Sequence, residues 1–77
     1  MMFLMEYDRK TGHLVSFRNF SDATLARQEQ FALEMQLHHQ GIEREVVLLE
    51  AEDEAAIRRS HRRYFEDLST ILNSVGK

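Results

Sequence analysis

Hydrophobic and polar positions along the 77-residue chain change their spacing five times, and each change predicts a new element. Met2 to Tyr7 is apolar at nearly every position, which predicts a strand covered on both sides at the centre of a sheet. Asp8-Arg9-Lys10-Thr11-Gly12 follows. Its aspartate can bond its own turn and its glycine can take a positive φ, so the segment reads as a hairpin loop. From His13 to Phe20 the pattern alternates. His13, Val15, Phe17 and Asn19 are expected on one face, and Leu14, Ser16, Arg18 and Phe20 on the other, as suits an edge strand.

A helix is predicted next, over about 22–40. Ser21 is the expected N-cap, with Asp22 in the first turn and Phe20 and Leu25 in the staple positions. Gly41 is the expected left-handed terminator. This helix carries two apolar stripes: Ala26, Leu33 and Leu37 on one side, and Leu25, Phe31, Ala32 and Met35 on another. Two stripes on one helix imply contact with two bodies. Ile42 to Ala51 centres on Val46-Val47-Leu48-Leu49, which predicts a third strand over about 42–51. Acidic residues from Glu52 to Glu54 then open a second helix, expected over about 53–73. On a wheel, Ile57, His61, Tyr64, Phe65, Leu68, Ile71, Leu72 and Val75 fall within one sector of it.

The order ββαβα predicts a single α+β domain over 1–77. It should be a two-layer fold, a three-stranded sheet in order 2-1-3 with two helices on one face. A right-handed strand–helix–strand crossover makes the third strand parallel to the second. That arrangement leaves one sheet face open, although the second and third strands carry apolar residues of both parities. The second helix should also overhang the sheet. The expected interface is therefore Val46, Leu48 and Leu49 on the sheet, with Leu68, Ile71, Leu72 and Val75 at the helix end, and the expected assembly is a homodimer.

Composition narrows the chemistry. A net charge of −3 and 43% hydrophobic residues describe an ordinary globular chain. Without cysteine there is neither a disulfide framework nor thiol chemistry. The longest apolar run is far short of the roughly 20 residues that span a bilayer, and Met1 to Met5 does not read as a secretory leader. A cytoplasmic location is expected.

Three constellations remain. Arg58, Arg59, Arg62 and Arg63 form a face that could hold an anion or nucleic-acid phosphates. Acidic overall charge and acids within pairing distance, such as Glu66, favour a solvated or interface role instead. His38 and His39 diverge by about 100° on a helix, and no paired-histidine metal spacing occurs, so no metal or cofactor is expected. His61 and Tyr64 could serve as acid and base if they lined a pocket, but their place on the apolar stripe favours core roles. With no nucleophile elbow or phosphate loop, the expectation is a non-catalytic protein-interaction module. The alternative is a phosphate- or nucleic-acid-binding domain using the four arginines.

Overall fold

The computed structural model describes residues 1–66. Its elements are β1 (Met2–Asp8), β2 (His13–Phe20), α1 (Ala23–Gln40), β3 (Glu45–Glu50) and α2 (Glu54–Ser60), followed by a 3₁₀ turn, Arg62–Tyr64. The sheet has the expected order β2-β1-β3. Both outer strands pair antiparallel with β1, so β2 and β3 run parallel to each other on either side of it.

The central strand is covered on both faces. Phe3, Leu4 and Met5 are almost fully buried, and Glu6 is buried with them. Successive side chains on a strand point to opposite faces, so no single layer could achieve this. The even-numbered face of β1 lies under α1, where Arg18, opposite Leu4, pairs with Glu29 at 3.3 Å. The odd-numbered face lies under the segment after β3. Tyr64 packs edge-on against Tyr7 with ring centroids 5.1 Å apart, and Phe65 meets Phe17 at 5.2 Å. Phe17 in turn stacks on Phe3 at 5.4 Å. The two helices therefore lie on opposite faces, not on one, and the fold has three layers. The reason is the run Phe3-Leu4-Met5, whose apolar side chains of both parities each need a cover.

The hairpin brings a second departure. Glu6 pairs with Ser16 and Tyr7 with Leu14, leaving Val15 as the extra residue of a β-bulge. Leu14 thereby joins the face of Phe17, and Val15 is 41% exposed. Asp8 orders the loop itself by accepting from the N–H of Lys10 at 2.9 Å and of Thr11 at 3.4 Å.

Helix α1 is capped by Asp22 rather than Ser21. Its carboxylate accepts from the N–H of Thr24 and Leu25. This moves Phe20 and Leu25 out of the staple positions, and Leu25 is left 46% exposed. At the other end Gly41 adopts φ 66°, and the N–H groups of Gly41 and Ile42 bond the carbonyls of His38 and Leu37. That is a Schellman closure, which uses glycine for its left-handed turn.

Helix α2 begins as expected, with the Asp53 carboxylate accepting from the N–H of Ala56 at 2.8 Å. It stops at Ser60, however, where a helix to Asn73 was expected. Continuing it would set Arg58 against Arg62 and Arg59 against Arg63, two like-charge pairs at four-residue spacing. Ser60 Oγ also bonds back to the Ala56 carbonyl at 3.1 Å, a local competitor of the helix. The break turns the chain so that Tyr64 and Phe65 reach the sheet.

Candidate functional site

Of the expected interface residues, Val46, Leu48 and Leu49 are half-buried. They divide between the two faces: Val46 and Leu48 pair with Glu6 and Leu4, Leu49 with Phe3. The sheet face expected to be open is thus occupied at its centre by the protein's own elements. Leu68, Ile71, Leu72 and Val75 lie outside the described residues.

The four arginines are exposed, and three of them have partners of their own. Arg58 pairs with Glu54 at 3.1 Å and lies over the Phe65 ring, 4.5 Å from its centroid. Arg62 lies 3.8 Å from Glu66. Arg63 lies over the Tyr64 ring and donates to its hydroxyl at 3.1 Å. Arg59 is exposed and makes no ion pair with a described residue. The segment is a mixed-charge surface braced by aromatic rings, and its acids neutralise part of the positive field that a phosphate would need.

The His61 and Tyr64 rings lie 6.2 Å apart, but their polar atoms have different partners. His61 Nδ1 lies 2.8 Å from Ser60 Oγ, while the Tyr64 hydroxyl donates to Glu45. Glu45 also accepts from Arg9 Nε at 2.9 Å, and Arg63 lies 3.6 Å away. The Tyr64 hydrogen bond, followed by that of Arg9, holds the Glu45 carboxyl below its ordinary value. Hydrogen bonding to Tyr64 likewise raises the Arg63 guanidinium above its usual range. This network fastens the 3₁₀ turn to β3; every polar group in it already has a partner, which suits anchoring rather than proton transfer to a substrate.

On the opposite face, buried Glu6 is held by Arg44 at 2.5 Å and by Ser16 Oγ at 3.4 Å. Arg44 also lies 3.8 Å from Asp8. Partial desolvation pushes the Asp8 carboxyl upward, but the N–H groups of Lys10 and Thr11 and the charge of Arg44 outweigh it and hold the group below its usual value. The sequence signal for this cluster was a single glutamate within an apolar strand. Its partner Arg44 comes from the far side of α1, so spacing alone did not link them. Among the described residues no group of three or more His, Cys, Asp or Glu side chains is placed to hold a metal ion, and no helix is long and apolar enough to cross a membrane.

Met1, Val15 and Ile42 are exposed, but among the described residues the most exposed large apolar side chain is Phe31 of α1. This helix buries only Ala26 and Leu37. On its outward side Phe31 is 67% exposed, Leu25 46% and Met35 40%, with Ala32 exposed beside them. Those four are the second stripe legible in the sequence, and the fold supplies no cover for it among the described residues. Comparisons with family models, curated proteins and solved structures returned no match.

Proposed function

We propose that the protein is a non-catalytic, homodimeric interaction module that works through the outer face of α1. The supporting observation is the outward stripe of Leu25, Phe31, Ala32 and Met35. A phenylalanine two-thirds in water on a well-capped helix, flanked by further apolar residues, has the composition of an interface core rather than of a solvated face. The small sheet adds to the case, since a chain of this size buries only about 60% of its unfolded surface and gains from a second copy. The polar clusters are consistent with this reading, because each is internally paired and serves to hold the layers together.

Sedimentation equilibrium of the native chain over a roughly hundredfold range of concentration tests the proposal. The expected result is a concentration-dependent species of twice the 9.1 kDa chain mass. A monomer throughout overturns it. A phosphate- or nucleic-acid-binding role through Arg58, Arg59, Arg62 and Arg63 would instead show as oligonucleotide binding that weakens steeply with added salt.

A further inference from the structure

We infer that the dimer forms by antiparallel pairing of α1 with α1 of a second copy, with Phe31 at the two-fold axis. The inference rests on the dimeric reading above and adds its geometry. At about 100° per residue, Thr24, Gln28, Phe31, Met35 and His38 follow one another at spacings of four and three residues, the repeat of a helix–helix seam. This seam points away from Ala26 and Leu37, the residues that α1 buries against the sheet.

Charge decides the direction of pairing. Arg27 and Glu34 are both exposed, and among the described residues neither forms an ion pair. Seven residues apart, they lie along one flank of the seam, on either side of Phe31 in sequence. In an antiparallel two-fold pair the same flank of each helix is apposed end to end. Arg27 of one copy then meets Glu34 of the other, and symmetry makes the contact twice. A parallel pair would set this flank against the opposite one, so that Arg27 and Glu34 faced Leu25 and Ala32 and found no charged partner. The other flank carries Leu25 and Ala32, so it extends the apolar contact. The surface is therefore complementary to itself in one orientation only.

Charge reversal separates this geometry from the general reading. Arg27→Glu and Glu34→Arg should each weaken the dimer about tenfold by sedimentation, a loss of about 1.4 kcal/mol. The double variant should return close to native affinity, because the pairs re-form with exchanged signs. Phe31→Ser should give monomers whose circular dichroism and thermal melting report an intact fold. A native dimer sensitive to Phe31→Ser but to neither charge reversal overturns the antiparallel pairing and leaves the α1 surface standing. One insensitive to all of these changes overturns the α1 surface as well. Single variants that weaken the dimer without rescue in the double overturn the antiparallel register. A native monomer overturns both readings together.

Discussion

Helix α1 has 18 residues and a hydrogen-bonded cap at each end, yet buries only Ala26 and Leu37. The segment from Glu54 to Phe65 is shorter and broken at His61, yet it buries Ile57 and Tyr64 and sends Tyr64 and Phe65 onto the sheet. The two cover opposite faces of the same strand by different means. The first is helical because its ends are closed locally by Asp22 and Gly41, and its packing uses one narrow side. The second is placed by long-range contacts, namely the Tyr64–Glu45 bond and the aromatic chain Phe65–Phe17–Phe3. Regular helix and tight packing are thus separable here. Among the described residues, the face left over on the more regular element stays in water.

The strongest way to break this contrast is to empty each side of β1 in turn. Phe3→Ala removes a fully buried ring from the aromatic face and should cost about 3–5 kcal/mol in urea unfolding. Leu4→Ala, beneath α1, should cost about 2–5 kcal/mol. Total stability for a chain of this length is only about 4–12 kcal/mol, so either change brings it near the limit of folding. A negligible loss for Leu4→Ala would mean that α1 does not seal its face.

A smaller effect separates the polar anchor from the rings. Tyr64→Phe keeps the ring against Tyr7 but removes the bond to Glu45, with an expected loss of about 1–2 kcal/mol. The same bond gives a pH signature. The folded-state pKa of Glu45 is held below its ordinary value of 4.5. Its contribution is therefore complete above that value and is lost as pH falls through the folded one. Acid titration of stability should show a shallower decline in Glu45→Gln than in the native chain. An unchanged acid limb in that variant would remove Glu45 from the account of how the 3₁₀ turn is held.

The smallest expected effect concerns α1 alone. A side chain at Gly41 would meet nothing within 4 Å, so Gly41→Ala isolates the backbone cost of φ 66°. That cost should be about 1 kcal/mol by thermal melting. No loss would mean that the Schellman turn is not what closes α1.

Much of the architecture was legible in the chain because its signals are local. The apolar run Met2–Tyr7 marked the central strand, Gly12 and Gly41 marked turns, and Asp53 marked the start of α2. The alternation of Ser16 and Arg18 with Phe17 marked an edge. Sheet order followed from these, since only β1 had the composition to be flanked on both sides. The candidate interface was legible in part. The stripe Leu25–Phe31–Ala32–Met35 could be read from periodicity, but Val46, Leu48 and Leu49 were equally apolar, and no local rule ranked one set above the other.

What the sequence alone determined, then, were the turns, the strand periods and the caps at Gly41 and Asp53, all set by contacts a few residues apart. The N-cap of α1 fell one residue from its expected place. Which face each helix covers was decided only in three dimensions, because Phe3-Leu4-Met5 offers apolar side chains to both sides and the outcome depends on where Tyr64 and Phe65 find partners. The bulge at Val15 and the break after Ser60 are of the same kind. At Val15 contacts far along the chain outweigh one unpaired residue, and after Ser60 they act together with the like-charge arginine pairs that already disfavour continuing the helix. The exposure of Phe31 follows from those decisions, since α1 turns Ala26 and Leu37 toward the sheet and leaves its other stripe in water.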